Sequence, residues 1–130
     1  IDFPLIRLGE IHLIYAEACM HLTAEAQALP KLKELADRAG VTATTSITQE
    51  FLVAERAREL MWEAHRRTDL IRYGMYGGNT SYSWPFKGGD SAYGQTFEKY
   101  MEIFSIPPTE LASNSELHQN PGYVDGTAAE

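Results

Sequence analysis

Cysteine is nearly absent: Cys19 stands alone, which excludes an internal disulfide and a Cys-rich zinc site and says nothing about compartment. Basic charge is also in short supply. Eleven Lys and Arg face 18 Asp and Glu, a net charge of -7, which argues against broad attraction to nucleic acid or to an anionic membrane surface. Long apolar runs are missing too: spanning a bilayer takes about 18 residues or more, and the most apolar stretch, Leu5 to Leu22, is broken by Arg7, Glu10, His12, Glu17 and His21. There is no strand-turn-helix glycine fingerprint, P-loop, nucleophile elbow or kinase signature, so the enzyme classes they mark have no support. The pairs Gly77-Gly78 and Gly88-Gly89 lack the neighbours a phosphate cradle needs. The sequence opens IDFPLIRLGE with no charged-then-apolar leader, and the chain reads as a fragment or processed product whose targeting segment would lie upstream of Ile1.

What is present suits one folded domain of 130 residues, 44% hydrophobic and 22% charged. Ile11, Tyr15, Ala18 and Leu22 recur at helical spacing and predict a helix over about 6–22. A second is expected over about 26–39, with Leu29, Leu32, Leu35, Ala36 and Ala39 on its apolar side, Pro30 in its first turn and Gly40 ending it. Thr48 can cap a third and longest helix, running over about 48–72 through Phe51, Leu52, Leu60, Met61, Ala64 and Leu70. From Gly74 the composition changes. Nine of the 14 aromatics and six of the ten glycines lie between Tyr73 and Phe104, so residues 73–130 are expected to be loop-rich. The stretch Gln95 to Ile103 could be a further helix or strand, and irregular coil is expected from Ser105 onward. The fold class is all-α.

The densest polar pattern is ERARELMWEAHRRTDLIRYG, Glu55 to Gly74. Glu55, Glu59 and Glu63 stand four apart with Arg58, Arg66 and Arg67 in reach, which reads first as helix-surface ion pairs. An acid–base pair of Glu59 and Glu63 is the competing reading, disfavoured because arginines would keep both ionised. His65 and Asp69 lie one turn apart, but no second His stands at zincin spacing, so no metal and no cofactor is expected. Arg66, Arg67 and Arg72 beside Tyr73 and Tyr76 make a local basic spot too small to offset the overall acidity, and no nucleic-acid partner is expected.

The segment YGMYGGNTSYSWPFKGG is the best candidate for ligand contact. Tyr76, Tyr82, Trp84 and Phe86 offer flat faces with polar handles, on which the C–H faces of a sugar can stack while Asn79, Lys87 or Asp90 meet its hydroxyls. The alternative is that a long loop uses its aromatics to pack itself.

Three stretches together resemble the C-terminal part of the SusD/RagB family of outer-membrane nutrient-binding proteins: PLIRLGEIHLIYAEA from Pro4, ERARELMWEAHRRTDLIRYG, and IFSIPPTELASNSELHQNPGY from Ile103. WPFKGG, Trp84 to Gly89, is similar to the family's aromatic Lys-Gly-Gly loop, and RAGV, Arg38 to Val41, to its helix ending. The resemblance covers about Pro4 to Tyr123. It implies TPR-like helix pairs and a non-catalytic, surface-exposed outer-membrane lipoprotein of Bacteroidetes-type bacteria. Such a protein captures glycans, or in some members peptides, and passes them to a SusC-like TonB-dependent transporter. A peptide-binding or protein-interaction helical module of the same machinery is the alternative. The lipid anchor would lie outside this chain, since Cys19 is mid-helix. Where the family commonly has Glu-Gly-His-Arg, this chain has Glu63-Ala64-His65-Arg66, which favours an uninterrupted helix. A pattern shared by binders of different ligands implies scaffold, so Glu55, Arg56, Glu59, His65, Arg66, Asp69 and Arg72 are expected to form a partly buried network. Tyr76, Tyr82, Trp84 and Tyr93 remain the candidate ligand contacts. Family members are longer, so apolar faces of the first and third helices are expected to lack partners and stay exposed.

Overall fold

The structure, a computed structural model, describes residues 6–78, 83 and 92–124. The chain divides into two compact units, Ile1–Asp69 and Leu70–Glu130. The described residues are mainly helical, with no strand among them.

In the first unit, α1 (Leu8–His21) and α2 (Glu25–Ala39) are joined by the short connection Leu22 to Ala24, and α1 packs on both α2 and α3 (Gln49–Glu59). Small residues allow the close approach: Ala16 and Ala28 are fully buried beside Leu13, Cys19, Leu32, Leu35, Ile47, Leu52 and Leu60. The polar ends are closed by local chemistry. Gly40 takes the left-handed conformation at φ 69° that terminates α2, and Thr48 Oγ1 accepts from the Phe51 N–H at 3.1 Å to start α3. Pro30 sits inside α2 and not in its first turn. The helix begins early enough to leave the proline in its second turn, where the carbonyl of Ala26 loses a donor and the helix continues regardless.

A further expectation from the sequence needs correction. The long helix over 48–72 is broken: α3 ends at Glu59, residues 60–65 form turns, and α4 (Arg66–Arg72) starts afresh. Trp62 and Ala64 adopt left-handed φ of 68° and 62° within the break, and Ala64 is where the resembled family commonly has glycine. Alanine's high helix propensity is overridden, because the chain needs the glycine conformation there. In α1 an apolar side stays exposed, as expected for the first helix. Leu13, Ala16 and Cys19, with His12, face the core, whereas Ile11, Tyr15, Ala18 and Leu22, the stripe that announced the helix, lie on its open side. Both sides of α1 are apolar, so periodicity alone could not say which was inward.

Beyond α4, the described residues of the second unit have little regular structure: a 3-10 turn at Lys99–Glu102 and a short helix α5 (Pro108–Ser113) within the expected coil. An isolated bridge joins Gly77 to Phe97, with the Gly78 N–H donating to the Phe97 carbonyl at 2.8 Å. A Cβ on Gly77 would collide with the Glu98 carbonyl, so the bridge requires glycine there. The QNPGY stretch fastens the segment before α5. Gln119 Oε1 accepts from the Ile106 N–H at 2.8 Å and Gln119 Nε2 donates to the Ile106 carbonyl at 2.9 Å. Asn120 Nδ2 donates to the Phe104 carbonyl and the Tyr123 hydroxyl to that of Ile103, both at 2.8 Å.

The break in the 48–72 segment yields a sign test. Ala64→Gly is expected to raise stability by about 1 kcal/mol by relieving a left-handed alanine. Ala57→Gly, inside α3, should lower it by about 1 kcal/mol. Urea unfolding of the two variants decides between a turn and a continuous helix, in which both changes would destabilise.

Candidate functional site

Two polar clusters gather in the first unit. In one, the Arg7 guanidinium at the start of α1 donates through Nε to both oxygens of Glu63, at 2.9 and 2.8 Å, and through Nη1 to Glu59 Oε1 at 2.6 Å. Its Nη2 donates to the Glu59 backbone carbonyl. Arg38, near the end of α2, donates to both Glu59 oxygens at 2.6 Å. The Glu59 carboxylate, 6% exposed, therefore faces two guanidinium groups. Gly9 makes the approach possible, because a Cβ there would fall on the Arg7 guanidinium and the Glu59 carboxylate. These bonds to Glu63 and Glu59 push the Arg7 guanidinium further up, and the bond from Arg7 holds the Glu63 carboxyl below the usual carboxylate range.

In the other cluster, Arg56 of α3 and Asp69 of α4, each 5% exposed, meet as an ion pair at 2.8 Å. The Arg56 Nε–H is not aligned for a hydrogen bond, and Nη1 is buried without a hydrogen-bond partner among the described residues. Glu10 Oε1 completes the group at 4.0 Å from Arg56 Nη2 and 3.7 Å from His65 Nδ1. Arg66 Nη1 donates to the Val53 carbonyl at 2.9 Å and so ties the start of α4 to α3.

The seven residues expected to act together are thus distributed. Arg56, His65 and Asp69 share one cluster, Glu59 belongs to the other, and Arg66 holds backbone. Glu55 pairs with Arg58 along the α3 surface at 2.5 Å. Arg72 lies with its guanidinium carbon 4.4 Å from the centre of the Tyr73 ring, in the second unit. Arg7, Glu10 and Arg38 were not named as members. The available signal was charge inside an apolar helix: Arg7 and Glu10 interrupt the most apolar stretch of the chain, where a charge needs a partner. No group of three or more His, Cys, Asp or Glu poised for a metal occurs among the described residues.

Of the candidate ligand contacts, Tyr76 stacks on Phe97 with ring centres 5.8 Å apart, while Tyr93 is 91% exposed. Tyr82 and Trp84 lie outside the described residues. An aromatic not on the sequence's shortlist, Trp62, is 90% exposed on the α3–α4 turn. With Leu60, Met61, Ala64 and Arg66 it edges an open groove of 510 Å³. Reading 48–72 as one helix hid that position.

Two outcomes follow from this geometry. Arg56→Met removes the buried guanidinium that faces the buried Asp69 carboxylate and is expected to cost about 3–5 kcal/mol, whereas Glu55→Gln should change stability by less than about 0.5 kcal/mol; urea midpoints of the two separate them. The second concerns pH. Because the folded Glu63 carboxyl titrates below its unfolded value of about 4.3, its contribution is complete above that pH and is lost as pH falls towards the lower folded value. Unfolding midpoints across pH 3 to 6 should fall on acidification, and Arg7→Met should flatten the decline.

A sequence model of the SusD family matches residues 1–123. Over 123 residues the chain is 37% identical to the starch-binding protein SusD of Bacteroides thetaiotaomicron, an alignment that takes in 94% of this chain and 22% of that protein. The chain therefore spans about a fifth of that relative's length. A match across nearly all of its residues, on a mainly helical framework whose Arg7, Arg56, Asp69 and Gln119 all sit in the motifs it shares, makes this chain a member of the SusD family.

Proposed function

We propose that this chain is part of a non-catalytic glycan-binding protein of the bacterial outer surface, which delivers oligosaccharides to a SusC-like TonB-dependent transporter. The observation that carries the reading is the 37% identity to a starch-binding protein across 94% of the chain. The polar clusters suit a scaffold better than a reaction centre. Glu59 and Glu63, the carboxylates considered as an acid–base pair, are both engaged by Arg7, and glycoside hydrolysis needs one of its two carboxyls raised to serve as an acid. Glu63 is shifted the other way.

No described helix is long and apolar enough to cross a membrane, in keeping with a lipid anchor elsewhere in the protein. Sugar contact is assigned to the aromatics of the Gly-rich segment, Tyr76, Tyr82, Trp84 and Tyr93. Tyr93 presents an open ring face, and a sugar's C–H face stacks on such rings.

Titration calorimetry of the natural protein with maltoheptaose should give saturable binding without any release of shorter sugars. Tyr93→Ala should weaken it about tenfold, ~1.4 kcal/mol, with the circular dichroism unchanged. Absence of binding across α-glucans and other bacterial and plant polysaccharides, together with peptide-dependent stabilisation, would assign the protein to peptide capture instead.

A further inference from the structure

Tyr93 is 91% exposed, so packing scarcely holds its ring, and the place of that ring is set by its backbone. The backbone is tied on both sides. Ser83, ten positions earlier, donates through Oγ to the Tyr93 carbonyl at 2.8 Å. Gly94, directly after Tyr93, takes the left-handed conformation at φ 74°, where glycine alone is at ease, and turns the chain. Three residues further on, Phe97 is fastened to the chain at 76–78. Its ring stacks on that of Tyr76 with the two planes 24° apart, its carbonyl accepts from the Gly78 N–H at 2.8 Å, and it bridges to Gly77. Tyr93 therefore stands on a turn anchored at Ser83 and at Phe97.

The Ser83 bond lies in solvent, where water competes for both partners and the net gain in stability is small. Its effect is local: it withdraws alternative conformations from the turn that carries an open tyrosine. Order already present in the free protein does not have to be imposed when a ligand arrives, and affinity rises accordingly. From this geometry we infer that Ser83 is a positioning residue for sugar binding, holding the Tyr93 ring through its carbonyl, with the Phe97–Tyr76 stack as the second anchor of the same turn; this role rests on Tyr93 being a sugar contact.

Two readouts on the natural gene product test it: amide hydrogen exchange over Ala92–Phe97 in the absence of sugar, and affinity for maltoheptaose by titration calorimetry. Ser83→Ala should speed exchange about fivefold and weaken affinity by a similar factor, with the melting temperature unchanged to within about a degree. Ser83→Thr, which keeps the hydroxyl, should restore both. Phe97→Leu, which loses the ring stack, should act in the same direction as Ser83→Ala. Ser113→Ala is the control, since it deletes a comparable exposed bond, from Oγ to the Glu110 carbonyl at 2.9 Å, away from the turn, and should alter neither readout. Because Ser83 acts through Tyr93, adding Ser83→Ala to Tyr93→Ala should change affinity less than about twofold. An equal loss in both backgrounds would overturn the positioning role, and so would exchange that Ser83→Ala leaves unchanged, whatever the protein binds. Faster exchange in a protein that binds neither maltoheptaose nor any other glycan would overturn the sugar role together with the glycan reading itself.

Discussion

The first unit turns on one buried ion pair. Arg56 and Asp69 are separated by thirteen residues, which in an unbroken helix would set them about 20 Å apart along the axis, beyond the reach of an arginine side chain. In the structure they meet at 2.8 Å with both side chains almost fully buried, so the helix between them has to stop and the chain has to double back. The left-handed residues Trp62 and Ala64 make that reversal. Other contacts consolidate it: Arg66 reaches back to the Val53 carbonyl, and Arg7 spans Glu59 at the end of α3 and Glu63 inside the turn. A short stretch of strained backbone is thereby held from both sides by charge. This is the usual condition under which an unfavourable φ persists.

Much of the helical framework was legible because its signals are local. Gly40 and Thr48 act within one turn of their own positions, and the missing Cβ of the one and the side-chain hydroxyl of the other are enough to decide what they do. The break at residues 60–65 was not legible for the opposite reason. Everything local there favours helix, Ala64 included, and the decision is made by contacts of Arg56 and Arg7 that lie far away in sequence. The same holds for α1, whose two apolar sides give no hint in isolation of which one the other helices will take.

The candidate site divides along the same line. The Glu55 to Gly74 pattern announced that charge would be concentrated near the third helix, and its members do form ion pairs. Which charges pair depends on Arg7, Glu10 and Arg38, brought in from α1 and α2 by packing. Glu55, although it opens the pattern, points along the helix surface to Arg58. In the second unit the family-like QNPGY stretch was readable as a motif, but its work, bonding side chains to the backbone of Ile103 to Ile106, has no counterpart in propensity or periodicity.

Gln119 holds Ile106 by acting on the same residue as both acceptor and donor. Glutamate has the same shape and would suit an acidic chain, yet its ionised carboxylate has no donor, so its second oxygen would face the Ile106 carbonyl with lone pair against lone pair. Hydrolysis of one side-chain amide would therefore replace an attraction by a repulsion at the clasp of the C-terminal segment. The durability of that segment in an ageing sample is set by the chemical persistence of a primary amide, a form of wear unrelated to how well its apolar side chains are packed.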